Sequence, residues 1–155
     1  MADTRHESAL YQQLILEHYR RPNNRGRLAA PTHRAAEWNP LCGDELSVEC
    51  LVSDGLIADV AFDGRACSVS QASASIMTQA VRGRSAQAVV ALADAFAARL
   101  KGDQPRVTVP LGELEGLLPI ARFPARIACA LLPWNALIGA LERGGKGMLS
   151  IEPGI

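Results

Sequence analysis

The sequence predicts an α+β domain with an N-terminal helix, a small antiparallel sheet of about three strands, and C-terminal helices that cover the sheet. Residues 7–19 carry apolar side chains at helical spacing. Two stretches of alternating apolar and polar residues follow, 45–52 and 56–62, with turn-forming residues between them. Helical spacing returns from residue 70 onwards. The order helix, hairpin, helices therefore indicates a sheet covered on one face.

The composition is that of one globular domain spanning residues 1–155, without internal repeats. Hydrophobic residues make up 48% of the chain and aromatic residues 5%, so we expect an aliphatic core. The 16 basic and 16 acidic residues cancel, which argues against a nucleic-acid-binding protein. We see neither an export signal nor an 18-residue apolar stretch, so we expect a cytoplasmic protein without a membrane span. There, four cysteines favour metal or redox chemistry over disulfides.

The first helix presents Leu10, Leu14 and His18 on one stripe. We interpret His18 as a packed residue at the edge of the core rather than as a metal ligand. The proline-containing stretch 21–24 ends the helix. Residues 28–39 look irregular.

The hairpin places alternate residues of each strand on the core face. In the first strand these are Leu46, Val48, Cys50 and Val52, and in the second they are Leu56, Ala58, Val60 and Phe62. Residues 53–55, with the sequence SDG, provide the turn. A short extended segment after the hairpin is expected to contain Cys67.

The C-terminal half predicts three main helices and an insertion. The first helix, 70–82, is rich in small residues, and Ser85 is a candidate N-cap for the second, which ends at Gly102. Prolines and glycines interrupt residues 103–122, which we interpret as an ordered insertion with one short helix. The last helix begins near Pro124, a residue suited to a first turn.

The last helix is expected to end at Gly144 and Gly145, followed by a tail at residues 146–155. Pro133 lies inside this helix and lacks the N–H that would reach the carbonyl of Cys129. The helix is therefore expected either to kink beside Cys129 or to hold Pro133 as a tolerated surface residue. Serines are frequent near residue 70, but no base is apparent for them, so a serine hydrolase is not expected.

Three cysteines far apart in the chain, Cys42, Cys67 and Cys129, are the main candidates for chemistry, together with Asp44. Three sulfurs and one oxygen match a tetrahedral zinc site or an anchor for an iron–sulfur cluster. Three unrelated buried cysteines are the alternative. Cys50 falls on the apolar face of a strand and is expected to be a plain core residue.

Local geometry favours a shared site. Cys42 and Asp44 are two residues apart in an extended segment, so their side chains point the same way. The hairpin brings the start of one strand beside the end of the next, which makes Cys42 and Cys67 neighbours. Cys129 lies in the early turns of the last helix, near Arg126, where a thiolate is favoured.

Three motifs in this order resemble the U-type iron–sulfur assembly proteins, the family that contains SufU, IscU and the N-terminal domain of NifU. They are NPLCGD at residues 39–44, CSVSQASAS at 67–75 and FPARIAC at 123–129. The segment 10–26 also fits. The resemblance covers about residues 8–143.

Within the family, the chain is more similar to the SufU branch. The insertion between Leu100 and Phe123, with LGE at residues 111–113, is typical of SufU. The chaperone-recognition motif of the IscU branch is absent, so the resemblance does not extend to that chaperone. The chain also departs from SufU proteins: Ala128 replaces a usual lysine, Ala66 replaces a usual glycine, and Pro133 is unusual.

The resemblance implies that Cys42, Asp44, Cys67 and Cys129 bind zinc, as in SufU proteins. It also implies a PLP-dependent, SufS-like cysteine desulfurase as partner, and iron–sulfur assembly proteins downstream. A histidine of the desulfurase would take over one zinc position and release Cys42. Cys42 would then be the sulfur acceptor, attacking the enzyme persulfide by thiol exchange.

Three functions are compatible with this resemblance. The first is a zinc-binding sulfur acceptor, which would act as a sulfurtransferase. The second is a scaffold on which Cys42, Cys67 and Cys129 hold a 2Fe–2S cluster, and the third is a structural zinc domain. Thiolates bind both zinc and iron, so the residues alone leave these open. The resemblance implies that loss of Asp44 traps a cluster on a scaffold but weakens both metal binding and transfer in an acceptor.

Overall fold

The computed structural model describes the backbone of residues 4–151 and the side chains of residues 9–143. The predicted α+β class is confirmed, with an N-terminal helix and a three-stranded antiparallel sheet. The elements are α1 (Thr4–Arg20), β1 (His33–Asn39), β2 (Asp44–Ser53), β3 (Leu56–Arg65), α2 (Ser68–Ala80), α3 (Ala86–Lys101), a 3₁₀ helix (Gly112–Arg122) and α4 (Pro124–Ile151).

The sheet has the order β1-β2-β3, with both pairs antiparallel. The prediction that residues 28–39 are irregular is wrong for their second half, which forms β1. This strand lies at an edge of the sheet and buries only Ala35 and Asn39 fully, so it lacks the alternation of apolar residues that marks a half-buried strand. The third strand is therefore β1, and the segment at Cys67 is not part of the sheet.

The hairpin β2–β3 contains an irregularity that sequence alternation did not reveal. Val52 pairs with Ile57 but Leu51 pairs with Asp59, so Ala58 is an extra residue in β3. This bulge reverses the alternation at the start of the strand. Leu56 and Ala58 are consequently exposed, contrary to the prediction, while Ile57 is buried. The predicted turn is present, with positive φ at Asp54 and Gly55.

The helices form the layer over the sheet. Every residue of α2 from Val69 to Thr78 is buried, which explains its small side chains. The predicted cap of α3 is confirmed, since the Ser85 hydroxyl accepts the amide of Ala88 at 3.2 Å and Gly102 ends the helix in a left-handed conformation. The insertion contributes the 3₁₀ helix.

Helix α4 is the central element of the core, and it packs against β1, β2 and α2. Gly144 and Gly145 do not end it, because the helix continues to Ile151; glycine weakens a helix but keeps its N–H and C=O groups. Of the predicted tail, residues 146–151 are helical and residues 152–155 lie outside the described part. The segment Pro124–Arg143 of α4 has the length and apolar composition of a membrane span. Half of its most apolar 18-residue stretch is buried inside the fold.

Candidate metal centre

A tight turn between β1 and β2 presents the first cysteine. The Asn39 carbonyl accepts the amides of Cys42 and Gly43 at 3.3 and 2.8 Å, and Gly43 has a φ of +76°. A left-handed backbone of this kind favours glycine. The turn leaves Cys42 exposed and buries Asp44, which is 6% exposed, at the start of β2.

Cys67 lies where β3 leads into α2 and is the N-cap of that helix. Its Sγ accepts the Ser70 amide at 3.5 Å, and its own amide donates to Asp44 Oδ1 at 3.0 Å. The second bond arises from the hairpin register, in which Glu45 pairs with Arg65. The two ends of the hairpin therefore approach each other as predicted, and the contact between them is the hydrogen bond from the Cys67 amide to Asp44.

Cys129 enters from α4 and is buried. Its Sγ lies 4.0 Å from the Sγ of Cys42. These two sulfurs and a carboxylate oxygen of Asp44 all lie within 4.8 Å of one another. Cys67 is not part of this compact group; its Sγ lies instead 3.5 Å from the Ser70 amide and 3.6 Å from the Ser70 hydroxyl at the start of α2.

The structure thus brings together Cys42, Asp44 and Cys129, places Cys67 beside them through its backbone amide, and separates Cys50 from all four. Cys50 is fully buried on β2 among core side chains, as predicted. Burial raises the pKa of the Cys50 thiol to about 12. This thiol is therefore a core residue rather than a reactive group.

The pKa values of the thiol of Cys129 and the carboxyl of Asp44 shift in opposite directions. Burial raises the pKa of Cys129 to about 12, with further contributions from the Cys67 and Cys42 thiols. Burial would also raise the pKa of Asp44, but hydrogen bonds from Cys67, Cys42 and Ser70 outweigh it and lower that pKa. The metal-free site thus holds an ionised Asp44 beside the protonated thiol of Cys129.

The donor set fits zinc. Two thiolates at about 2.3 Å from one tetrahedral zinc ion are about 3.8 Å apart. The Sγ atoms of Cys42 and Cys129 are 4.0 Å apart. Asp44 would supply the oxygen ligand, and Cys67 would complete the tetrahedron once its Sγ turned from the Ser70 amide towards the other three donors.

Two residues near the site were not predicted. The Ser70 hydroxyl lies 3.0 Å from Asp44 Oδ2, and its position three residues after the N-cap Cys67 is the signal that sequence reasoning passed over. Tyr11, from α1, also faces the site. Burial and the nearby Cys67 thiol raise the pKa of Tyr11, while Arg126 opposes the shift.

One serine does have a histidine partner, contrary to expectation. His18 Nδ1 lies 2.7 Å from Ser75 Oγ, and His18 Nε2 lies 3.0 Å from Glu113 Oε2. However, Ser75 is fully buried and its oxygen accepts the Asn23 amide at 2.8 Å. The arrangement ties α1, α2 and the 3₁₀ helix together, and the prediction that His18 is a packed residue is confirmed.

Alkylation should reveal the order of thiol reactivity. At pH 8, iodoacetamide is expected to label metal-free Cys42 first, because this residue alone of the four is exposed. Cys50 and Cys129, with pKa values raised to about 12, have only about one thiolate in ten thousand molecules at that pH. Mass spectrometry of digests at timed intervals measures the order. Urea-unfolded protein, in which all four label, is the control; rapid labelling of Cys129 in folded protein would contradict the geometry.

The fold and the site define a class: an α+β domain that gathers thiols and a carboxylate from a turn, a helix N-terminus and a second helix into one arrangement with the donor atoms of a metal site. The chain belongs to the family described as NifU-like N terminal domain, whose family model matches residues 10–130.

Two named relatives each align with 88% of the chain. The chain is 37% identical over 139 residues to the zinc-dependent sulfurtransferase SufU of Bacillus subtilis, covering 88% of this chain and 94% of that protein. It is 40% identical over 137 residues to the iron–sulfur cluster assembly scaffold protein IscU of Streptococcus pyogenes, covering 88% and 86%. A crystal structure of a putative scaffold protein for the SUF system from Fervidobacterium islandicum superposes with a TM-score of 0.79 at 27% identity, covering 86% and 97%.

Proposed function

We propose that this chain is a zinc-binding sulfur acceptor in iron–sulfur cluster assembly, acting as a sulfurtransferase. The observation that carries the proposal is the contrast within the thiol cluster: Cys42 is exposed, whereas Cys129 and Asp44, within 4.8 Å of it, are buried. A site with one exposed ligand can exchange that ligand with an incoming group. The similarity to a protein named as a zinc-dependent sulfurtransferase supports this function.

In this proposal zinc is held by Cys42, Asp44, Cys67 and Cys129. Zinc supplies a positive charge that keeps the thiols deprotonated at neutral pH. Because the pKa of Cys129 is raised in the metal-free protein, zinc binding displaces protons and its affinity increases with pH.

The partner is a cysteine desulfurase that presents a persulfide. The Cys42 thiolate attacks the terminal sulfur of the persulfide, so that a new S–S bond forms on Cys42. The old S–S bond breaks and the desulfurase cysteine leaves as a thiolate, without any external oxidant or reductant. Iron–sulfur assembly proteins then receive the sulfur, and we place these steps in the cytoplasm.

The surface around Cys42 supports docking of such a partner. Leu41 is 92% exposed and Trp38 is 62% exposed, both beside the turn that presents the thiol. A groove of about 410 Å³ opens where α1 meets the starts of α2 and α4, and its lining includes Tyr11, Phe123 and Arg126. Leu41 and Trp38 thus place exposed apolar side chains beside the Cys42 thiol, as expected for a transient protein interface.

Asp44→Ala tests the site and distinguishes it from a scaffold. In a zinc acceptor, this substitution removes one ligand, so we expect zinc affinity and sulfur transfer to fall together, each by about 10-fold or more. Zinc competition with a chelator and a desulfurase assay measure the two effects. Full activity with unchanged zinc affinity would exclude Asp44 as a ligand.

A 2Fe–2S scaffold is the second candidate, favoured by the 40% identity to a protein named as a scaffold. On a scaffold, Asp44→Ala should retain iron and acid-labile sulfide rather than lose metal. Metal and sulfide analysis of protein purified without oxygen separates the candidates: about one zinc per chain without sulfide supports the acceptor, and iron with equal sulfide supports the scaffold. A structural zinc site would keep its metal and show no transfer when a desulfurase is added.

A further inference from the structure

Ser70 is the polar residue of the site that has no ligand role. Its side chain is fully buried on α2, between the hairpin and α4. The hydroxyl lies 3.0 Å from Asp44 Oδ2 and 2.8 Å from the carbonyl oxygen of Cys129. It also lies 3.6 Å from the Sγ of Cys67, which can donate to it, so the hydroxyl contacts three candidate ligand residues and has two oxygen acceptors, the Asp44 carboxylate and the Cys129 carbonyl.

The second contact depends on Pro133. In a regular helix the amide of residue 133 would donate to the carbonyl of residue 129, but proline has no N–H. Pro133 is buried inside α4, so the interpretation of a tolerated surface proline is wrong. The Ser70 hydroxyl occupies the place of the missing donor at the Cys129 carbonyl.

A hydroxyl has one proton, so Ser70 can donate to only one of these acceptors at a time. A carboxylate bound to a cation is a weaker hydrogen-bond acceptor, so with a cation on Asp44 the Ser70 hydroxyl would donate to the Cys129 carbonyl. Without the cation, the Ser70 hydroxyl would donate its hydrogen bond to the Asp44 carboxylate again. Both acceptors are buried, and a buried acceptor without a partner is costly.

We propose that Ser70 is a positioning residue. Its hydroxyl donates one hydrogen bond, which alternates between the Asp44 carboxylate and the Cys129 carbonyl that Pro133 leaves without an amide donor. Ser70 and Pro133 together fix the Cys129 segment of α4 relative to Asp44. They also allow Asp44 to bind a metal ion and to release it. This inference rests on the proposed metal site and adds residues that are not ligands.

Ser73 provides a matched control. It is equally buried on the same helix, and its hydroxyl donates to the next carbonyl of α4, that of Ala130, at 2.6 Å. It also accepts the indole N–H of Trp134 at 3.2 Å. Ser73→Ala therefore removes a comparable buried hydrogen bond between α2 and α4 without removing a partner of Asp44.

The test measures Zn²⁺ affinity by chelator competition and the visible absorption of the Co²⁺-loaded protein. Ser70→Ala is expected to weaken Zn²⁺ binding about 10- to 100-fold and to shift the Co²⁺ bands. Ser70→Thr, which keeps the hydroxyl, should restore affinity to within about threefold, and Ser73→Ala should change it by less than about threefold. Equal losses in Ser70→Ala and Ser73→Ala, or a wild-type Co²⁺ spectrum in Ser70→Ala, would overturn the inference.

Pro133→Ala supplies a second, independent test, because it returns an amide donor to the Cys129 carbonyl. In that background the loss caused by Ser70→Ala should be at least about threefold smaller, since only the Asp44 contact remains to be lost. An unchanged loss would also overturn the inference. If the wild-type protein binds neither Zn²⁺ nor Co²⁺, the proposed metal site itself fails; if it binds both and only the serine comparison fails, the positioning role alone is lost.

Discussion

A Cys42→Ser variant is expected to fold like the wild-type protein and to lose sulfur acceptance by at least about a thousandfold. Cys42 is exposed in the turn between β1 and β2, so the substitution removes little packing. A serine hydroxyl is not ionised at neutral pH and does not attack a persulfide as a thiolate does. Single-turnover transfer from a desulfurase persulfide, followed by mass spectrometry of this chain, measures the effect.

Cys50→Ala is the matched control for this prediction. Cys50 is fully buried in the core and makes no contact with the cluster, so its loss should reduce stability but leave sulfur acceptance intact. Wild-type acceptance by Cys42→Ser would move the acceptor role to Cys67 or Cys129. Of these two thiols Cys67 is partly exposed, whereas Cys129 is only 3% exposed, so Cys67 would be the expected substitute.

Local chemistry made most of the fold predictable. The N-cap Ser85, the turn at residues 53–55 and the start of α4 at Pro124 each have a short-range signal, and each lies where expected. β1 was missed because an edge strand takes its identity from its partner rather than from its own pattern. The bulge at Ala58 was missed because register depends on pairing between strands.

For the candidate site, the sequence indicated the possible ligands but not the residue that positions them. The candidate ligand residues could be selected because thiols and a carboxylate have few other uses in such a pattern, and the hairpin predicted that two of them lie near each other. Ser70 could not be selected, since its role depends on a carbonyl that a proline 63 positions later leaves open. Sequence reasoning did identify that open carbonyl, but only the packing of α2 on α4 shows what fills it.

Gly64→Ala is expected to destabilise the protein by about 3–5 kcal/mol, the sum of backbone strain and steric overlap. Gly64 has a φ of +137°, which L-residues rarely adopt. A Cβ here would lie far inside contact distance of the Glu45 carbonyl oxygen and 3.0 Å from the Leu46 Cα, both rigid backbone atoms of β2. Urea unfolding monitored by circular dichroism measures the loss of free energy.

Gly26→Ala separates the two causes of that loss. Gly26 has nearly the same φ, +136°, but a Cβ there would meet no atom within 4 Å. We therefore expect Gly26→Ala to cost only the strain, about 1–3 kcal/mol. Equal losses in the two variants would show that β3 can move away from β2 at no cost. Because Glu45 follows Asp44 directly, and Gly64 precedes Cys67 by three residues, such movement would also separate the Cys67 amide from Asp44. The close approach that requires glycine at position 64 is thus the same approach of β2 and β3 that brings the Cys67 amide to the Asp44 carboxylate.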